Sequence, residues 1–267
     1  MPVIPVNGVN LYYEWHGPAS APVLVLNNGI LMNAAVSWRP QTAAFSATYR
    51  VLQYDCRCQG LSDHPDSPCS MELHADDLAA LLGALQVDRA HILGISYGGE
   101  VAQAFALNYP AQVRSLILAD TVSEIGPELR LIVEGWKAAA LAGDADLVFL
   151  VTVPWNFSPR FIATQREILA AARVRYRDLD LPALVRLADA FAGVNFTERL
   201  PEITCPTCVL VGDEDLIKGP RYAHVIQRAI AGSELHVIAG AGHATCWEDP
   251  ARFNQIVLEF LHRQATA

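Results

Sequence analysis

Residues 91–100 read HILGISYGGE, a short apolar run followed by a turn in which a serine stands between glycines. The run at His91–Leu93 predicts a buried strand, and Gly98–Asn108 has the pattern of a helix that ends before Pro110. Ser96 is therefore expected on a sharp strand-to-helix turn, in a strained backbone conformation and with its hydroxyl directed into a cleft. The Gly-x-Ser-x-Gly pattern alone also fits a glycine-rich turn with a capping serine, but this setting favours a nucleophile.

Short apolar runs recur on both sides of this turn. The chain opens with two predicted strands, Val3–Val6 and Asn10–Trp15, around Asn7-Gly8, a dipeptide suited to a tight hairpin. Beyond the hairpin, runs rich in Val, Leu and Ile alternate with stretches of helical spacing, which predicts a mostly parallel sheet covered by helices on both faces. The predicted buried strands are Val23–Leu26, Val51–Tyr54, His91–Leu93, Leu116–Ala119, Val209–Val211 and Leu235–Ile238.

Helical signals divide the chain into two parts. Ser70, Pro220 and Pro250 each suit the beginning of a helix that packs on the sheet. The alternation of strands and helices fails between about residues 121 and 203, where helical segments follow one another without an obvious strand; examples are Pro127–Leu141, Pro159–Val174 and Leu181–Ala192. We interpret 121–203 as an inserted helical cap, and 1–120 together with 204–267 as the core domain.

The size and charge of the chain restrict its class. A chain of 267 residues, 52% of them hydrophobic, can bury a large core in one catalytic domain. The formal net charge of -9 disfavours binding to nucleic acid or to anionic membranes. No stretch resembles a signal peptide, and no apolar run approaches the ~20 residues that span a bilayer. A cytoplasmic protein with a small-molecule partner is expected, and a homo-oligomer is left open.

The sequence gives no support for a metal or an organic cofactor. Six cysteines are few for this length and are expected to be reduced thiols. Cys205 and Cys208 have the C-x-x-C spacing of metal sites, but no second pair of ligands is suitably spaced. Cys56 and Cys58 are expected to point apart on an extended stretch and to stay unpaired. No phosphate-binding glycine motif occurs.

Motifs later in the chain extend the pattern around Ser96. Gly212-Asp213-Glu214-Asp215 follows a predicted strand, and Gly240-Ala241-Gly242-His243 precedes the last helix. In this order the motifs resemble those of the α/β-hydrolase family over nearly the whole chain. The resemblance implies the family's fold, a mostly parallel sheet of about eight strands with flanking helices and an inserted helical cap. The resemblance implies a catalytic triad of Ser96, Asp215 and His243. Asp213 and Asp120, the latter at the end of a strand, remain alternatives for the acid.

The loop Asn27-Asn28-Gly29-Ile30 follows the strand at Val23–Leu26. The family usually has His-Gly where this chain has Asn28-Gly29, and the resemblance implies that the N–H groups of Ile30 and Tyr97 form an oxyanion hole. Asparagine at this position is similar to that of 3-oxoadipate enol-lactonases and of some acyltransferases of this fold. The alternative is that this loop is only a turn.

A second departure from the family pattern lies in residues 55–63, which read DCRCQGLSD and resemble the family's DxRGxGxSD segment. Cys58 stands where the first glycine is usual. A side chain at a position adapted to glycine is expected to strain the turn.

The residues that would shape a pocket are less well defined. The candidates are Asn28, Trp136, Trp155 and Phe157. The alternative for the three aromatic residues is that they belong to the core of the insertion and line no pocket. The function expected from the resemblance is hydrolysis of a carboxylic ester or lactone through an acyl-enzyme. Acyl transfer, carbon–carbon bond hydrolysis and cofactor-free haloperoxidase-like activity use the same triad, and a binding protein without turnover is a further alternative.

Overall fold

The computed structural model describes residues 2–264, so Met1 and residues 265–267 of the predicted core domain lie outside the described part. One eight-stranded sheet has the order β1-β2-β4-β3-β5-β6-β7-β8. The β1–β2 and β2–β4 pairs are antiparallel and the other pairs are parallel, which confirms the predicted mostly parallel sheet. The strands are β1 (Val3–Val6), β2 (Val9–His16), β3 (Val23–Asn27), β4 (Arg50–Tyr54), β5 (Ala90–Ile95), β6 (Val113–Ala119), β7 (Thr207–Gly212) and β8 (Glu234–Ile238).

Twelve α-helices are present within residues 2–264. They are α1 (Ala34–Ser37), α2 (Arg39–Phe45), α3 (Met71–Ala84), α4 (Tyr97–Asn108), α5 (Pro127–Leu141), α6 (Ala145–Asn156), α7 (Pro159–Thr164), α8 (Arg166–Tyr176), α9 (Leu181–Ala192), α10 (Pro220–Ala229), α11 (Thr245–Glu248) and α12 (Pro250–Gln264). As expected, α3 begins at Ser70, whose hydroxyl accepts a hydrogen bond from the Leu73 N–H, and Pro220 and Pro250 open α10 and α12.

The hairpin at the start of the sheet forms where the sequence predicts it. Asn7 and Gly8 both have positive φ, 46° and 79°, so both occupy the left-handed region that a two-residue turn of this kind requires. The turn brings Val6 opposite Val9 and sets the register of β1 against β2.

Two layers of helices cover the sheet because neighbouring residues of each strand face opposite sides. On β5, the side chain of Ile92 packs in the same cluster as apolar residues of α3 and α4, whereas Leu93 packs with residues of α12. All six residues of β5 are buried, as expected for a central parallel strand. The carboxyl end of this strand, where Ser96 lies, is therefore fixed by packing on both faces.

The segment between β6 and β7 contains α5 to α9 and a 3₁₀ helix at Thr197–Glu202. Its only β contact within the described residues is an isolated bridge between Glu124 and Asn195, so the segment is helical; it is called the cap below. The helix α6 was not predicted from the sequence, and it carries Pro154 in its interior. Among residues 2–264, every helix is too short or too polar to cross a lipid bilayer.

Candidate active site

Ser96 lies between the end of β5 and the first residue of α4, with φ 53° and ψ -120°. This positive φ is strained for a residue with a side chain, and the neighbouring glycines explain how the turn is tolerated. A Cβ atom at Gly94 would lie 2.0 Å from the Gly98 carbonyl oxygen, and one at Gly98 would lie 2.2 Å from the Asn27 carbonyl oxygen. The turn therefore has its tight shape because both positions lack side chains.

The hydroxyl of Ser96 is linked to two side chains from distant parts of the chain. Its Oγ lies 2.8 Å from Nε2 of His243, and Nδ1 of the same ring lies 2.8 Å from Oδ2 of Asp215. The other carboxylate oxygen, Oδ1, accepts hydrogen bonds from the N–H groups of Ile217 and Lys218, both at 2.8 Å. These bonds fix the carboxylate, and the carboxylate fixes the orientation of the imidazole, so that Nε2 faces the hydroxyl.

The two alternative acids are bound elsewhere. Asp213 is exposed, and its Oδ1 accepts a hydrogen bond from the N–H of Gly240 at 2.6 Å. Asp120 is fully buried and accepts hydrogen bonds from the N–H of Gly212 and from the N–H and hydroxyl of Thr245. Burial and the nearby charge of Asp215 raise the pKa of Asp120 well above its usual value. Asp120 thus connects the end of β6 to Gly212 and Thr245, whereas Asp215 contacts the imidazole of His243.

Ile30 and Tyr97 line a small cavity together with Ser96 and His243. Its volume of about 10 Å³ leaves room for a group the size of one water molecule. The N–H of Tyr97 is at the first turn of α4, where the helix dipole favours negative charge. The two expected oxyanion donors therefore belong to residues that border the space beside the Ser96 hydroxyl.

Asn28 holds the loop before Ile30 in place and does not line either of the two cavities that Ser96 borders. Its side-chain amide donates to the Tyr54 carbonyl at 2.9 Å and to Asp55 Oδ1 at 3.0 Å, and its oxygen accepts from Nε1 of Trp38 at 2.7 Å. Asn28, which the sequence analysis gave as a candidate for the pocket, thus uses the polar atoms of its side chain to anchor the loop.

A larger cavity of about 160 Å³ opens beside the Ser96 hydroxyl, between the core and the cap. Of the aromatic candidates, Trp136 and Phe157 line this cavity, whereas Trp155 is 39% exposed on α6 and lies outside the lining. The walls are largely apolar and include Ile30, Met32, Val153, Leu169, Leu179 and Trp247. Arg175 of α8 is the one Arg or Lys side chain among the lining residues. This composition suits a substrate with an apolar body.

A buried ion pair that no sequence pattern indicated borders the small cavity. Nζ of Lys218 lies 2.9 Å from each carboxylate oxygen of Glu100 and 4.1 Å from the centre of the Phe191 ring. Both side chains are almost completely buried, and burial lowers the pKa of Lys218. Nothing in the local pattern marks these residues, since Glu100 reads as an ordinary acidic residue in the first turn of a helix. Their partnership arises only from the tertiary fold.

Glu248 connects the cap to the loop that carries His243. Its carboxylate accepts hydrogen bonds from the N–H of Gly242 at 3.0 Å, from the N–H of Ser158 at 3.0 Å and from the Ser158 hydroxyl. Burial raises the pKa of Glu248. The position of the imidazole is therefore coupled to the start of α7 in the cap.

In the part of the chain that the structure describes, one group of side chains has a spacing that a metal ion could use, namely Cys208, Glu234 and His236, whose ligand atoms lie within 4.8 Å of one another. The carboxylate of Glu234 is already paired with Arg263 at 2.6 Å and 2.8 Å. The group lies toward the amino ends of β7 and β8, whereas Ser96 and its partners follow the carboxyl ends of strands. It has no geometric relation to the Ser96 site.

The fold and the site define an α/β protein in which a serine on a strand-to-helix turn is hydrogen-bonded to a histidine, and the histidine to an aspartate. A family model described as alpha/beta hydrolase fold matches residues 22–250, so the chain belongs to this family. It is similar to 3-oxoadipate enol-lactonase 1 of Acinetobacter baylyi, with 30% identity over 258 residues that cover 95% of this chain and 94% of that protein.

Solved structures of related proteins agree. The enol-lactonase from Burkholderia xenovorans superimposes with a TM-score of 0.92 at 28% identity, covering 98% of this chain and 100% of that one. A thermophilic esterase from Thermogutta terrifontis superimposes with a TM-score of 0.87 at 27% identity, covering 98% of this chain and 97% of that one.

Proposed function

We propose that this protein is a serine hydrolase that cleaves a carboxylic ester or a lactone through an acyl-enzyme on Ser96. The observation that carries the proposal is the chain of 2.8 Å contacts from the Ser96 hydroxyl through His243 to Asp215, beside a largely apolar cavity. Similarity to enol-lactonases and to an esterase supports the same reaction class.

The geometry supports a mechanism in two halves. Nε2 of His243 accepts the hydroxyl proton as Oγ of Ser96 attacks the substrate carbonyl, and the Asp215 carboxylate stabilises the imidazolium that forms. The N–H groups of Ile30 and Tyr97 donate to the oxyanion. His243 then gives its proton to the departing alkoxide, which leaves the acyl group on Ser96.

In the second half, His243 accepts a proton from water as the water oxygen attacks the acyl carbon. A second oxyanion forms in the same place and collapses, the acid is released, and the proton returns to Ser96. For a lactone, the leaving oxygen and the acyl group belong to one molecule, so the product is a single hydroxy acid, or, for an enol lactone, an enol acid that tautomerises to the keto acid. The apolar walls of the cavity favour substrates whose acyl or alcohol part is mainly hydrocarbon.

The test is a panel of p-nitrophenyl esters of graded acyl length and a matched series of lactones. Ser96→Ala is expected to lower kcat/KM by a factor on the order of 10³ or more, because the nucleophile is lost while the fold, checked by circular dichroism, is kept. Ser233→Ala serves as the control, since this serine lies in the turn before β8 and outside the cavity lining. Wild-type rates in Ser96→Ala would contradict the proposal.

Covalent labelling gives an independent check. A fluorophosphonate probe should add to the wild-type chain once and map to the peptide that contains Ser96, and His243→Ala should label far more slowly because the general base is lost. Absence of labelling together with retained binding of an ester analogue would favour a protein that uses this cavity without turnover.

A further inference from the structure

Two free thiols approach each other in the segment that carries the unusual cysteine of the DxRGxGxSD-like motif. Sγ of Cys58 lies 3.6 Å from Sγ of Cys69, and no disulfide is formed by any of the six cysteines. Cys58 is 4% exposed and Cys69 is half-buried. A disulfide needs a sulfur–sulfur distance of about 2 Å, so an approach of about 1.5 Å would close the bond. The sequence pattern compares Cys58 only with Cys56 and gives no indication of this approach to Cys69.

The segment between the two thiols can supply that movement. Residues 59–68 contain six exposed residues, Gly60, Leu61, Asp63, Asp66, Ser67 and Pro68, and form no helix or strand. Cys58 itself has φ 68°, in the left-handed region, which shows that the chain accommodates a cysteine where glycine is usual in the family.

The charges around the pair favour a thiolate on Cys58. The hydrogen bond from Cys69 and the guanidinium of Arg186, which reaches Cys58 from α9 of the cap, lower the pKa of Cys58 to about 6. The same hydrogen bond raises the pKa of Cys69. The thiolate is the form that reacts with oxidants, and an adjacent thiol resolves the first product. By contrast, burial raises the pKa of Cys56, Cys205, Cys208 and Cys246.

We propose that Cys58 and Cys69 are an oxidative modification site that a hydroperoxide converts to a disulfide, and that this bond slows the reaction at Ser96. The Cys58 thiolate attacks one peroxide oxygen and becomes a sulfenic acid, while hydroxide leaves. The Cys69 sulfur then attacks the sulfenic sulfur, and its proton leaves with the hydroxyl group as water. Two thiols and one hydrogen peroxide thus give one disulfide and two waters, with two electrons passing from sulfur to oxygen.

The disulfide would act on the site through contacts that begin next to it. Nε2 of Gln59 donates to the carbonyl oxygen of Gly29 at 3.0 Å, one residue before Ile30. In the same loop, His64 contacts Asp180 of the cap at 2.8 Å. Closing the bond shifts Cys58 and removes the negative charge that faces Arg186, so the loop before Ile30 and the nearby cap contacts lose part of their support. Only this effect on the reaction rate rests on the proposed function.

Peptide mapping tests the bond without reference to activity. The wild-type protein is treated with hydrogen peroxide, its remaining thiols are alkylated, and it is digested without reduction. The expected result is a peptide pair joined through Cys58 and Cys69. This pair should be absent in Cys69→Ser and in Cys58→Gly. Cys58→Gly restores the residue usual in the family at this position, so this variant is expected to fold. Cys205→Ser is the matched control and should keep the joined pair. Absence of that pair in the wild type would overturn the proposal.

The rate test uses a p-nitrophenyl ester that the wild type hydrolyses. Oxidation is expected to lower kcat/KM at least threefold in the wild type, with recovery on reduction by dithiothreitol, and to have no recoverable effect in Cys69→Ser. Met32 lines the cavity and its sulfoxide is not reduced by dithiothreitol, so only the recovered part counts. A mapped disulfide with an unchanged rate would overturn the claim that it slows the reaction. A wild-type protein without activity on any ester or lactone would instead contradict the proposed function and leave the mapping result valid.

Discussion

At the scale of single residues, the site depends on which carboxylate contacts His243. Asp215 is held by two N–H groups and reaches the imidazole, whereas Asp213, two residues earlier, is exposed and binds the N–H of Gly240. The sequence pattern alone left Asp213, Asp120 and Asp215 as candidates. The choice among them depends on the path of the loop after β7, which no local pattern encodes.

Asp215→Asn should therefore lower kcat by a factor of roughly 10³ to 10⁴, because an amide in this place neither stabilises the imidazolium nor holds the required tautomer. Asp213→Asn is the matched control and should change kcat less than about threefold, since an asparagine oxygen can still accept from Gly240. Steady-state kinetics with one p-nitrophenyl ester would measure both. Equal losses in the two variants would contradict this assignment of the acid.

At the scale of secondary-structure elements, α8 of the cap carries charge to the mouth of the cavity. Arg173 and Arg177 both pair with Asp146, but Arg175 lines the cavity without an ion-pair partner among residues 2–264. The chain as a whole is acidic and would repel an anionic substrate. Arg175 places a positive charge at the cavity, where it can attract such a substrate.

Arg175→Gln is expected to lower kcat/KM for an ester that carries a free carboxylate by about threefold to tenfold, and to leave the neutral ester of the same length nearly unchanged. The size corresponds to the loss of one partly solvated ion pair of about 1 kcal/mol. Arg173→Gln, on the same helix and with the same change of charge, should leave the ratio of the two rates as in the wild type. A ratio that changes equally in both variants would show that only overall charge matters.

The elements themselves were predictable to different degrees. The eight strands and the helices that begin at Ser70 and Pro250 follow from apolar runs and from residues that favour helix starts. The short helices α1 and α2 and the cap helix α6 escaped prediction, because four to seven residues give little periodicity and because Pro154 lies inside α6.

The pocket was harder to predict than the strands. Trp136 and Trp155 look alike in sequence, but one faces the cavity and the other faces solvent, since this depends on how α5 and α6 pack. Asn28 was expected in the pocket and instead fills its hydrogen-bonding capacity with Trp38, Tyr54 and Asp55. Lys218 and Glu100, 118 residues apart, could not be paired from sequence at all, because no motif marks either residue as Ser96 and His243 are marked.

At the scale of the whole molecule, buried histidines couple stability to pH. His91 lies on β5 with Nδ1 at 2.8 Å from the Ser115 hydroxyl, and burial lowers its pKa to about 4. Burial likewise lowers the pKa of His74 to about 3. An unfolded histidine binds a proton near pH 6.5, so between pH 6.5 and 4 the unfolded chain takes up protons that the folded chain does not. Stability contributed by these residues is present above pH 6.5 and is lost as the pH falls.

For His91 alone, the loss between pH 7 and pH 4 should amount to about 3 kcal/mol in the free energy of unfolding. His91→Gln removes the titrating group and keeps a hydrogen-bonding partner for Ser115, so its stability should fall less steeply over this range. Urea unfolding at a series of pH values would measure the two slopes. His262→Gln, at an exposed position of α12, is the control and should keep the wild-type slope. An unchanged slope in His91→Gln would contradict the argument.

The three residues of the Ser96 site follow three different strands, β5, β7 and β8, and His243 comes 147 residues after Ser96. During synthesis, the nucleophile is therefore made long before the base that would activate it. A product terminated ahead of β8 would therefore lack the proposed general base, however well its first seven strands fold. In the proposed mechanism, the Ser96 hydroxyl would thus gain its activating base only after the segment that carries His243 has been made and has joined the sheet.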